Sequence, residues 1–98
     1  MKKLSPVHPG EILFEEFLKP MKISQNKLGQ NLRVSPRRIN EIVHGKRSIT
    51  VDTALRLAAY FGNSPQFWLG LQMDYDLDMA ESVLSSEIKR EVHFMVDS

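Results

Sequence analysis

Ser24-Gln-Asn-Lys-Leu-Gly-Gln-Asn-Leu-Arg-Val-Ser-Pro-Arg-Arg-Ile-Asn-Glu-Ile-Val-His-Gly45 is the stretch on which the fold turns. Ser24 can cap a short helix, and Leu28 and Leu32 stand one helical turn apart, so their side chains share a face. Arg33 and Val34 interrupt that pattern. Ser35-Pro36 then signals a second helix. A serine hydroxyl can accept a bond from an unpaired N–H of the first turn, and proline at the first helical position removes no donor that the helix would use. Ile39 and Val43 repeat the turn spacing, and Gly45 suits the residue at which this helix ends. Two short amphipathic helices with a tight link predict a helix-turn-helix, the unit that lays its second helix in a DNA major groove.

With Ile39 and Val43 turned inward, Arg37, Arg38, Asn40, Glu41 and His44 share the remaining faces of that second helix. Arginine and asparagine suit base edges, and Lys46 and Arg47 beyond the helix suit phosphates. Adjacent arginines also serve simply to solubilise a surface helix, but here the basic residues cluster where the motif would meet DNA. The formal charge is only +1 and the pI about 8.1, so distribution carries more than the total. Residues 19 to 56 hold nine basic against two acidic side chains, whereas residues 74 to 98 hold seven acidic against two basic ones. A basic working face and an acidic C-terminal segment are expected.

Ninety-eight residues, 42% of them hydrophobic, are one domain's worth of chain. A domain of that size has a small core, so dimerisation is expected on stability grounds. Absence of cysteine excludes disulfides and thiolate chemistry and fits a reducing cytoplasm. No apolar run has the length of a signal-peptide core or of a bilayer span, which makes a cytoplasmic protein without membrane contact the expectation.

Outward from the motif, residues 1–8 read as an extended arm, because Pro6 and Pro9 restrict the residues before them. A first helix spans residues 9–18, with Leu13, Phe14, Phe17 and Leu18 as its apolar face and Pro20 as its stop. Gly10 is a weak helix residue at its start, and Met21 or Ile23 is expected to plug the core. Thr50 caps a fourth helix to Phe61, with Ala54, Leu55, Ala58 and Phe61 buried and Gly62 ending it. Ser64-Pro65 repeats the cap-plus-proline start, opening a fifth helix that carries Phe67, Trp68, Leu71 and Tyr75. Residues 74–79 alternate polar and apolar residues as a half-buried strand would, yet they follow a helical pattern and read as its continuation. Residues 85–96 form either a last helix beginning near Ser85 or Ser86 or a tail that orders on a partner. The resulting division is an arm at 1–8, a DNA-binding domain with its dimerisation helix at 9–79, and an acidic extension at 80–98.

Signs of chemistry are few. His8, His44 and His93 share no metal-ligand spacing, and no glycine pattern makes a phosphate loop. His8 reads as a cap, a loop contact or a surface residue. The serines lack a nucleophile elbow, and Asp74, Asp76 and Asp78 read as a solvated acidic face rather than a catalytic or calcium-binding array. No cofactor, metal or catalytic residue is expected.

The ordered pieces His8-Pro9-Gly10-Glu11, Ser24-Gln25, Leu28-Gly29, Val34-Ser35, Ile39 through Thr50, Ala54 through Ala58, Phe61 through Pro65 and Phe67-Trp68-Leu69-Gly70-Leu71-Gln72 resemble the HigA family of toxin–antitoxin antitoxins. That family is a branch of the phage-repressor-like helix-turn-helix superfamily. Gly29 departs from the alanine common there, which permits close packing but lowers helix propensity. The resemblance implies an all-α, five-helix domain with a possible further C-terminal helix or tail. It implies a non-enzymatic antitoxin that forms a homodimer, binds double-stranded operator DNA to repress its own operon, and neutralises an mRNA-cleaving ribonuclease toxin. By similarity Gln25 supports DNA-backbone binding, and Arg37, Arg38 and Asn40 face the operator; Ser35, His44, Lys46 and Arg47 complete the expected DNA-binding set. Phe67, Trp68, Leu71 and Tyr75 are the expected dimerisation set. A stand-alone dimeric transcriptional regulator is the alternative, and an interaction module that has lost DNA binding a third reading, which the basic face disfavours.

Overall fold

Five helices, each opened by a side-chain cap, account for most of the computed structural model, which describes residues 6–95. Residues 1–5 of the arm expected at 1–8 and the chain end at 96–98 lie outside the described residues. Helix α1 covers residues 9–21, α2 Gln25–Leu32, α3 Pro36–Val43, α4 Val51–Phe61 and α5 Pro65–Glu91. The caps are His8 Nδ1, accepting from the Gly10 N–H at 2.9 Å, and the hydroxyls of Ser24, Ser35, Thr50 and Ser64, each accepting from the N–H three residues on. The two helix ends expected at glycine have positive φ, 75° at Gly45 and 77° at Gly62, where a Cβ would be strained. Lys22 and Arg33 take the same left-handed conformation at the ends of α1 and α2.

Pro20 does not stop α1. Over Leu13–Leu18 the helix widens to π geometry, so the Lys19 N–H reaches back five residues to the Phe14 carbonyl. Pro20 then sits at the start of the final α-turn, Lys19–Met21, where its missing donor is tolerated. The chain leaves at Lys22 instead, where the Ile23 N–H bonds the Leu18 carbonyl at 2.9 Å.

The core is built from Leu13 and Leu18 of α1, Leu28 and Leu32 of α2, Ile39 and Ile42 of α3, Ile49, then Ala54, Leu57 and Ala58 of α4, and Trp68 of α5. Two expectations shift to a nearby residue, and one choice between two residues is resolved. The inward stripe of α3 is Ile39 and Ile42, with Val43 half-buried beside it. On α4 Leu57 is buried and Leu55 is 54% exposed, because the packed row is Ala54, Leu57, Ala58 and Phe61, and Leu55 lies about 100° off it. Ile23 packs on the core while Met21 is exposed. Phe17, Phe61 and Trp68 form an aromatic cluster, with ring centres 4.8 Å apart for Phe17–Phe61 and 5.0 Å for Phe17–Trp68.

Residues 74–79 continue α5 as helix, and residues 85–91, read as the start of either a separate last helix or a tail, are the end of that same helix, which runs unbroken to Glu91. At 1.5 Å per residue its 27 residues are about 40 Å long, which gives the molecule its 58 × 29 × 24 Å extents. Among the described residues there is no strand, and no helix is long and apolar enough to cross a membrane.

Candidate nucleic-acid interface

Helices α2 and α3 meet through the turn Arg33-Val34-Ser35, where the Val34 N–H returns to the Gly29 carbonyl at 3.0 Å. Gly29 permits that approach, since a Cβ there would stand 2.9 Å from the Val34 carbonyl oxygen. Ser35, expected among the DNA-binding residues, has its hydroxyl engaged as the cap of α3, accepting from Arg38 N–H at 3.1 Å.

Two residues of the expected DNA-binding set are brought together: Asn40 Nδ2 donates to Gln25 Oε1 at 3.0 Å, joining the first residue of α2 to the middle of α3. An amide pair of this kind orients both side chains, leaving each with further donor or acceptor capacity toward solvent. His44 lies one turn beyond, its Nδ1 2.9 Å from the Asn40 carbonyl oxygen. Lys46 is exposed in the loop after α3, and its main-chain N–H bonds the Glu41 carbonyl at 2.8 Å.

The two arginines part company. Arg37 projects outward, 87% exposed, with Nε on Glu41 Oε2 at 3.2 Å. Arg38 turns toward α4, where a terminal guanidinium nitrogen donates to Thr53 Oγ1 at 2.9 Å and meets Asp52 Oδ2 at 3.4 Å. Its Nε is buried without a hydrogen-bond partner. Arg38 is therefore a strut between α3 and α4 rather than an outward reader in this conformation.

Glu41, which the sequence places on this helix without assigning it a role, accepts from both Arg37 and Arg47, the latter at 2.8 Å. The Arg47 hydrogen bond is the largest cause that lowers the Glu41 carboxyl pKa; desolvation, second in size, opposes it, and the Arg37 hydrogen bond and the charge of both arginines add to the lowering. The spacing of four residues from Arg37 was the available sequence signal; the approach of Arg47 from the loop was not visible there.

His8 is the other residue with more to do than its motif suggested. It caps α1, its ring lies edge-on to Tyr75 of α5 at 4.9 Å, and it packs beside Gly45 at the end of α3. Burial lowers its pKa, while the charge of Asp76 opposes that shift.

Of the expected subunit-contact residues, Trp68 is wholly buried and donates through Nε1 to Asn63 Oδ1 at 2.9 Å, so it belongs to the core and offers no surface to a second chain. Leu71 and Tyr75 are half-buried and Phe67 is 40% exposed. Farther along α5, Leu77, Ala80, Leu84 and Ile88 line a shallow groove of about 360 Å³.

A helix-turn-helix family model matches residues 14–68. Virulence-associated protein I of Dichelobacter nodosus is 58% identical over 79 residues, 81% of this chain and 73% of that protein. An addiction module antidote protein of the HigA family from Coxiella burnetii superposes with a TM-score of 0.89 at 47% identity, covering 94% of this chain and all of that one. The structure of the Pseudomonas aeruginosa antitoxin HigA with the higBA promoter superposes with a TM-score of 0.89 at 42% identity, covering 93% of this chain and 99% of that one.

Proposed function

The chain belongs to the HigA family of helix-turn-helix antitoxins, non-enzymatic regulators, and on that footing we propose that two copies of it bind a palindromic operator ahead of their own gene and that it also restrains a partner toxin. The observation that carries the DNA half is the polar surface shared by α2 and α3: the Gln25–Asn40 pair, the projecting Arg37, and His44, Lys46 and Arg47 beside it. Asn40 and Arg37 have the chemistry to read base edges, and Gln25, Lys46 and Arg47 to hold phosphates. Arg38 contributes by fixing α3 against α4.

Pairing of two copies is supported by the exposed apolar stripe of α5, in which Leu77, Leu84 and Ile88 follow helical spacing without cover from their own chain. One recognition helix reads too little sequence, and two half-sites separated by about 34 Å need two. The toxin half rests on family membership, with an mRNA-cleaving ribonuclease as the toxin class; Asp74 and Glu81 are exposed on α5 and suit a basic partner.

Fluorescence anisotropy at fixed salt, on the palindromic duplex from upstream of the gene and on a scrambled duplex, tests the DNA reading. Asn40→Ala is expected to reduce the preference for the operator by about 1–3 kcal/mol, and Lys46→Ala to weaken both duplexes alike. An Arg37→Ala/Asn40→Ala protein with wild-type operator affinity rules out this face. Co-purification with the product of the neighbouring gene, and relief of that product's growth inhibition, tests the toxin half and separates an antitoxin from a stand-alone regulator.

A further inference from the structure

We infer that Glu41 is a positioning residue for DNA recognition, holding Arg37 at one end of α3 and the Lys46–Arg47 loop at the other in the arrangement that meets the duplex. The inference rests on the operator-binding reading above. A carboxylate among residues that approach phosphates is opposed by like-charge repulsion, so its presence calls for a compensating role. Glu41 is 24% exposed, whereas Arg47 is 49% and Arg37 87% exposed, so the acid lies beneath and the two bases project beyond it.

Three anchors converge on this one residue. Oε2 accepts from Arg37 Nε at 3.2 Å; Oε1 accepts from Arg47 Nε at 2.8 Å and forms an ion pair with its terminal nitrogen at 2.7 Å; the main-chain carbonyl accepts from the Lys46 N–H at 2.8 Å. The first alone is an ordinary exposed pair one turn apart on a helix, of little consequence for stability. The other two reach across Gly45, whose positive φ turns the chain back over the end of α3. Arginine is a long side chain with many rotamers, and holding two of them before the duplex arrives reduces the ordering that binding would otherwise require.

Glu41→Gln separates this role from simple electrostatics, since it keeps the size and one acceptor oxygen while removing the charge. A surface acting only through net charge would bind both duplexes more tightly after the substitution. The inference instead expects scrambled-duplex affinity to hold or rise while the operator preference falls about tenfold, the scale of one good base contact. In an Arg37→Ala/Arg47→Ala background the same substitution is expected to cause no further loss of preference, whereas damage to the fold would lower it there too. A Glu41→Gln protein that keeps its preference within about twofold, well short of one contact, overturns the inference, as does a loss of equal size in the Arg37→Ala/Arg47→Ala background. A wild-type protein with no operator preference overturns the operator reading itself, and this inference with it.

Discussion

A Cβ at Gly10 would overlap the carbonyl oxygen of Ile42, because the first turn of α1 lies directly on the main chain at the end of α3. Gly10→Ala is therefore expected to destabilise the fold by about 3 kcal/mol, the upper range for overpacking. Gly70 is a control in α5 with open space where its Cβ would stand, and Gly70→Ala is expected to stabilise by up to about 1 kcal/mol through helix propensity. Urea denaturation reads both, and equal effects would sink the packing argument. His8 supplies a pH dependence at this same junction. Its pKa is lowered in the fold, so the unfolded chain binds more protons between the two values. The stability it contributes is full above the ordinary value of about 6.5 and is lost as pH falls through the folded value. His8→Asn keeps a capping acceptor without a titrating ring, and its melting temperature is expected to fall less than the wild type's between pH 7.5 and 5.5, values about one unit either side of the ordinary one. Parallel pH profiles for the two proteins would refute this.

Gln72 of α5 is 6% exposed, and its Oε1 accepts from the buried Ile49 N–H at 2.8 Å, tying the loop after α3 to the last helix. Gln72→Leu leaves that N–H unpaired and is expected to cost about 1–3 kcal/mol, whereas a change below about 0.5 kcal/mol in equilibrium unfolding would mean the N–H finds another partner. The proximal part of α5 thus serves the core, and its distal part does not. Every buried residue among those described lies at or before Gln72, and residues 79–91 are exposed throughout. Truncation after Met79 is accordingly expected to leave a folded helix-turn-helix that no longer dimerises, seen as retained helical circular dichroism and a monomer in sedimentation equilibrium. A truncated protein that still dimerises would place the subunit contact at Phe67 and its neighbours instead.

On the scale of the whole molecule, the basic side chains around α3 and the exposed acids of α5 belong to different helices. Arg37→Ala/Asn40→Ala is thus expected to lose operator binding and retain both partner binding and rescue of growth. Loss of both activities in a folded dimer would mean that the two surfaces are one. The long α5 gives the molecule its elongated shape, and its outer end carries apolar area at Leu77, Ala80, Leu84 and Ile88.

Local chemistry determined the helix starts: Ser24, Ser35-Pro36, Thr50 and Ser64-Pro65 cap helices with their own neighbours, so no distant residue needs to be known. Gly45 and Gly62 were legible as endings for the same reason, and the family resemblance added the functional expectation. Which of two neighbouring apolar residues faces inward, Leu55 or Leu57, Ile42 or Val43, depended on where the adjoining helices lie. Pro20 misled because its exclusion from a regular helix is local, whereas the widening of α1 that accommodates it is not foreshadowed by any cap or spacing. Only the tertiary structure turned Arg38 onto Thr53, Arg47 onto Glu41 and Trp68 into the core. The positions of Arg38 and Trp68 follow from which helix is on the other side and that of Arg47 from how the loop after α3 turns back, whereas periodicity reports the face of a helix but not its neighbour.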